Sequence, residues 1–213
     1  VSAPAPPGGP PTVAALARRV LDTPPRLGGT RLVSIDGPAG SGKTTFAGRL
    51  ADAVAARTGR RASLVHMEDL YTGDDVGSGW SMSGAVDRLD AGVLRPVREG
   101  RPGSLHRWDW AAGAAEPAAT TVPVAEVLLV EGCGASPRRH DPWTSLRVWV
   151  EAPAELCLRR GLARDGAELR PWWERWQAEE RAVFAAEDTR ARADVRVDGA
   201  ASGALPPDRY ALL

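Results

Sequence analysis

The stretch "IDGPAGSGKTTF", residues 35–46, decides how the chain reads. Gly37, Gly42, Lys43 and Thr44 satisfy G-x-x-x-x-G-K-[ST]; the pattern follows an apolar run, "TRLVSID" (30–36), and opens a helical one, "KTTFAGRLADAVAART" (43–58). Glycines let such a loop close around phosphate oxygens without Cβ clashes, and backbone N–H groups at the helix start favour an anion. The predicted phosphate-binding residues are Gly37, Ala39, Gly40, Ser41, Gly42, Lys43, Thr44 and Thr45. Of 27 basic side chains, Lys43 is the only lysine. The composition favours arginine wherever either residue serves, as GC-rich coding would. A lone lysine therefore marks a position where the broad guanidinium fork does not fit and a point charge on a thin stem does.

Length and composition bound the rest. A chain of 213 residues with 43% hydrophobic and 25% charged residues suits one globular domain. Formal net charge is zero, which disfavours bulk binding to nucleic acid. Two cysteines and three histidines, widely spaced, do not make a structural zinc site. The longest apolar run, "VLLV" (127–130), is far too short to cross a membrane. No charged-then-apolar leader pattern is present, so a cytoplasmic protein with no membrane partner is expected.

Apolar strands alternate with amphipathic helices, which predicts an α/β fold: a parallel sheet with helices on both faces. Residues 1–29 form a Pro/Gly-rich segment with one short helix (12–22), residues 30–199 the main domain, and 200–213 a tail. Strands are expected at 30–36, 61–67, 125–132, 145–152 and 193–198. Helices are expected at 43–58, 83–100 (interrupted by Gly92 and Pro96), 153–164 and 171–192. "SLHRWDWAAG" and "AATTVPV" predict a small hairpin insertion.

A GTPase of the common type reads guanine with Asn-Lys-x-Asp, and this chain has no Asn and no second lysine. No LSGGQ-type signature of a transport ATPase is present, and a ring-forming motor needs more chain. A small kinase remains. Further segments then fall into order. "MEDLY" (67–71), "RWDW" (107–110), "LLVEG" (128–132), "LRRGLARDG" (158–166) and "TRARADVRVDG" (189–199) resemble, in register, the uridine kinase family of the phosphoribulokinase group. The chain most resembles uncharacterised actinobacterial members with a "DDLY…GW" segment and a tryptophan-rich lid helix. The resemblance implies a P-loop NTPase fold with a helical lid, ATP and Mg²⁺ as cofactors, and a small-molecule acceptor, with a nucleoside as one candidate. Glu68 stands where the family carries Asp, Leu70 where it carries Phe, and Trp108 where it carries Tyr.

Candidate site residues follow. Glu68 and Asp69, at the end of the second strand, offer a carboxylate to deprotonate an acceptor hydroxyl. Family spacing favours Glu68; neighbours on an extended strand face opposite ways, unless the strand has already ended. Glu131, ending "VLLV", and the Thr44 hydroxyl are the candidate Mg²⁺ ligands. Arg160 and Arg164, four apart on one helix face, suit the transferring phosphoryl group. Tyr71, Trp80, His106, Asp109 and Trp110 are candidates for the acceptor pocket. Trp172, Trp173 and Trp176 read as helix packing, Cys133 and Cys157 as small core residues, while His66 and His140 have no recognisable partner. Two other readings stay open. "IDGPAGSGKT" also resembles the start of bacterial cytidylate kinases, so the acceptor could be a nucleoside monophosphate. A nucleotide-binding accessory protein without turnover is the third.

Overall fold

The computed structural model describes residues 10–72, 82–109, 112–201 and 204–213. In chain order the elements are α1 (Val13–Asp22), β1 (Arg31–Asp36), α2 (Lys43–Thr58), β2 (Ser63–His66), α3 (Met82–Leu89), α4 (Arg95–Arg98), β3 (Gly103–Leu105), β4 (Trp108–Asp109), β5 (Ala114–Ala115), β6 (Thr120–Val122), β7 (Val127–Glu131), β8 (Thr144–Glu151), α5 (Ala154–Asp165), α6 (Arg170–Glu187) and β9 (Val195–Asp198). Five strands form one parallel sheet in the order β2-β7-β1-β8-β9. β1 and β7 are buried along nearly their whole length, as a strand covered on both faces must be, and this is why they read as continuous apolar runs.

Each face has its own core. On one, Val13, Leu16, Ala17 and Val20 of α1 pack with Phe46, Leu50 and Val54 of α2. The C-terminal Tyr210 joins this cluster, edge-on to the Phe46 ring. Thr12 caps α1 by accepting the Ala15 N–H at 3.1 Å. On the other face, α3, α4 and the insertion pack with Trp149, Trp176 and Phe184.

Three local expectations are revised. β2 stops at His66, and Met67–Asp69 form a 3₁₀ turn closed by the Leu70 N–H on the Met67 carbonyl at 2.9 Å. The helix across 83–100 is not broken by Gly92 and Pro96: a π turn, Asp90–Leu94, links α3 to α4. Gly92 serves there as a contact, since a Cβ would lie 2.5 Å from the Ser104 carbonyl. The insertion is nested, with β3 paired to β6 and β4 to β5, both antiparallel. No helix among the described residues is long and apolar enough to cross a membrane.

Candidate active site

The loop between β1 and α2 sits at the carboxyl edge of the sheet, over its central strand, where open α/β sheets bind ligands. Gly37, Gly40 and Gly42 all take positive φ, at 145°, 78° and 102°. At Gly37 the surroundings add a second constraint: a Cβ would lie 2.0 Å from the Val150 carbonyl of β8. The Ser41 N–H closes the loop on the Pro38 carbonyl at 3.1 Å, and the buried Ser41 hydroxyl has no partner among the described residues. The Ala39 N–H donates to Glu180 of the α6 helix, and Thr45, in the first turn of α2, is exposed.

Lys43 is 6% exposed, and its Nζ donates to the Pro38 carbonyl at 2.8 Å and lies 3.7 Å from Cys133 Sγ. Burial alone would depress its pKa, but the facing acids, Glu131, Glu180 and Asp36 among them, hold the ammonium above its ordinary value. The Thr44 hydroxyl donates to Glu131 Oε1 at 3.0 Å, so the two candidate metal ligands meet. Two hard oxygen donors at a phosphate loop fit Mg²⁺, which binds through few protein ligands and keeps its waters. Glu131 also meets His66 Nδ1 at 2.6 Å, which gives that histidine the partner the sequence did not reveal. This bond is the largest influence on His66 and raises its pKa.

Two buried acids were not foreseen. Asp36, at the end of β1, accepts the N–H groups of Gly37 at 2.7 Å, Gly134 at 3.0 Å and Ser136 at 2.9 Å. It thereby fastens the phosphate loop to the loop after β7. Burial pushes its carboxyl up to about 6 against those three bonds. Glu180 of α6, 1% exposed, accepts the Ala39 N–H at 2.9 Å and lies 3.3 Å from Cys133 Sγ. Cys133 is therefore not a mere core filler but sits between Lys43, Glu180 and the Gly37 carbonyl. Burial raises its thiol pKa well above the ordinary range, so it remains protonated.

On the acceptor side, Glu68 is exposed and Asp69 half-buried, on the 3₁₀ turn rather than on the strand. They diverge. Asp69 pairs with Arg107 of the insertion at 3.5 Å, whereas Glu68 contributes to the field that raises the Arg164 pKa, after the Asp165 bond that dominates it. Tyr71 is 5% exposed: its hydroxyl donates to the Cys133 carbonyl at 2.6 Å and its ring meets Trp176 edge-on at 5.4 Å, so it packs in the core instead of lining an open pocket. His106 is exposed, with Nδ1 2.9 Å from the Glu116 carbonyl. Asp109 is spent in part on the insertion's own turn, accepting the Ala112 N–H at 3.0 Å. Trp80 and Trp110 lie outside the described residues.

The two arginines meet different partners. Arg160 donates to the Gly40 and Gly199 carbonyls, each at 3.2 Å, bracing the outside of the loop. Arg164 is held by Asp165 at 2.6 Å and lies over the Trp173 ring at 5.9 Å. Trp173 and Trp176 are buried and Trp172 is partly exposed. A cavity of about 490 Å³ runs along the edge strand β2. None of its lining residues belongs to the phosphate loop, but His66, Asp69 and Arg107 mark one end.

The strand order and the loop define the fold of a P-loop NTPase. No family model matches the chain, and no curated protein matches its sequence. Solved structures do. A possible uridine kinase from Bacillus stearothermophilus is 19% identical with a TM-score of 0.65, over 86% of this chain and 96% of that one. A candidate fructose transport system kinase from Silicibacter sp. TM1040 is 23% identical with a TM-score of 0.63, over 82% and 95%. A D-glycerate 3-kinase from Cryptococcus neoformans is 14% identical with a TM-score of 0.60, over 88% and 94%. At such identities the likeness is one of fold.

Proposed function

We propose that this protein is an ATP-dependent kinase that transfers the terminal phosphoryl group to a hydroxyl of a small molecule. The observation that carries the reading is the meeting of the loop residue Thr44 with Glu131 at 3.0 Å, beside Lys43 and one strand away from the Glu68–Asp69 turn. Loop amides and Lys43 would hold the β- and γ-phosphates. Thr44 and Glu131 would hold Mg²⁺, which when bound would neutralise phosphate charge. Glu68 would orient the acceptor hydroxyl and take its proton, because it is exposed, whereas Asp69 is engaged with Arg107. The likeness to solved kinases supports phosphotransfer; it leaves the acceptor unnamed.

A second reading, transfer to a nucleoside monophosphate, draws on the arginines at the β2 cavity: Arg60, Arg61 and Arg107 suit an acceptor that already carries a phosphate. An acceptor panel separates the two. ATP-dependent ADP release is measured with nucleosides, nucleoside monophosphates, sugars and vitamin alcohols. Release stimulated by an unphosphorylated alcohol is expected. Stimulation confined to monophosphates transfers the assignment to the second reading, and ATP binding without turnover on any acceptor favours an accessory protein.

A further inference from the structure

Glu180 has no part in the chemistry described above, yet it touches the phosphate loop. Its Oε2 accepts the N–H of Ala39 at 2.9 Å, and the residue is almost wholly enclosed. Enclosing an ionisable acid is unfavourable unless its charge is answered. Burial raises the Glu180 pKa above its ordinary value, and the groups that work against burial are the Ala39 amide and, after it, Lys43. The amide donors of such a loop are the groups that bind phosphate oxygens. A carboxylate on one of them takes a donor that a phosphate oxygen could use.

Which phosphate it would displace follows from the neighbours. Cys133 Sγ stands 3.3 Å from Glu180 Oε2 and 3.7 Å from Lys43 Nζ, so the carboxylate is at the lysine's end of the loop. In phosphate loops that lysine reaches the β- and γ-phosphates. We propose that Glu180 is a specificity-determining residue of the nucleotide site: its carboxylate competes with the terminal phosphoryl group for the Ala39 N–H, so a triphosphate must displace it and a diphosphate need not. This rests on the kinase reading above. Glu180 shares one face of α6 with the buried Trp173, Trp176 and Phe184, so its displacement would also disturb the helix that packs on α5.

A plain structural pin would behave differently. A neutral side chain could hold the Ala39 N–H equally well, whereas competition depends on charge. Glu180→Gln keeps the shape and an acceptor oxygen and removes the charge; Glu180→Ala removes all three. Calorimetric titration of the full chain with Mg²⁺ and either ADP or a non-hydrolysable ATP analogue reads the difference. The wild-type protein is expected to bind ADP at least as tightly as the triphosphate. Glu180→Gln and Glu180→Ala should tighten triphosphate binding about tenfold, equivalent to ~1.4 kcal/mol, and leave ADP within about twofold. Equal shifts for both nucleotides, no shift, or weaker triphosphate binding would overturn the proposal. A wild-type preference for triphosphate over ADP by tenfold or more overturns it too, and needs no variant to fold. No nucleotide binding by the wild-type protein would overturn both this proposal and the kinase reading.

Discussion

The phosphate loop and the Glu68–Asp69 turn lie on neighbouring parts of one sheet edge and are built in opposite ways. The loop is made of consecutive backbone, held by sterics: positive φ at three glycines, the Val150 carbonyl against Gly37, and Asp36 on three N–H groups. The turn is made of side chains, Asp69 paired with Arg107 far away in sequence and Glu68 exposed. A backbone site tolerates little change and serves any phosphate. A side-chain site on a short turn can be refitted to another acceptor without disturbing the fold.

The comparison can be broken by mutation. Lys43→Ala should abolish phosphoryl transfer, a loss of at least ~10³-fold if Lys43 serves developing charge as such donors do, while the fold survives. Lys43→Arg should fail as well, and near-normal turnover by the arginine variant in the ADP-release assay would refute the steric reading of the lone lysine. On the acceptor side Glu68→Gln should lower turnover by about 10²–10⁴-fold, the usual cost of a lost general base, with nucleotide affinity unchanged. If Asp69→Asn carries that loss instead, the roles on the turn are reversed.

Smaller effects concern stability. Asp36→Asn would turn an amide NH₂ toward groups that are themselves donors, and chemical denaturation should record a loss of about 1–3 kcal/mol. The pH dependence has a definite sign. Asp36 has an ordinary value of 3.8 and titrates at about 6 when folded, so the folded state holds the proton more tightly. Its contribution is full below pH 4 and is lost as pH rises through about 6. The stability difference between wild type and Asp36→Asn should therefore shrink over that window, by up to ~3 kcal/mol at ~1.4 kcal/mol per pH unit. Smallest of all, Arg107→Ala should change stability by less than ~1 kcal/mol, because its pair with Asp69 is half exposed and screened.

Much of this was legible in the residues. β7 reads from "VLLVE" because both of its faces are buried, and the loop reads from its glycines and lysine. Glu131 reads as a sheet-edge acid because it ends an apolar strand; Asp36, which ends "SID", carries the same signal. Glu180 also left a signal. It falls on the stripe of Trp173, Trp176 and Phe184, where an acid is out of place on a buried face. What could not be read were meetings across the chain: Cys133 beside Lys43, Arg160 on the Gly40 and Gly199 carbonyls, and Tyr71 turned inward onto Trp176. The early end of β2 depended on one turn hydrogen bond that apolar alternation does not encode.

The single lysine has a use outside chemistry. An endoproteinase that cuts only after lysine has one site in these 213 residues, the bond following Lys43. That bond joins the phosphate loop to the first turn of α2, and the lysine side chain is bonded inward to the Pro38 carbonyl. Such a protease needs the segment opened and extended before it can cut, so its rate measures the opening of this one loop, whether the loop opens alone or with the whole fold. The protein thus carries its own one-bond reporter of local unfolding, read as the appearance of two fragments.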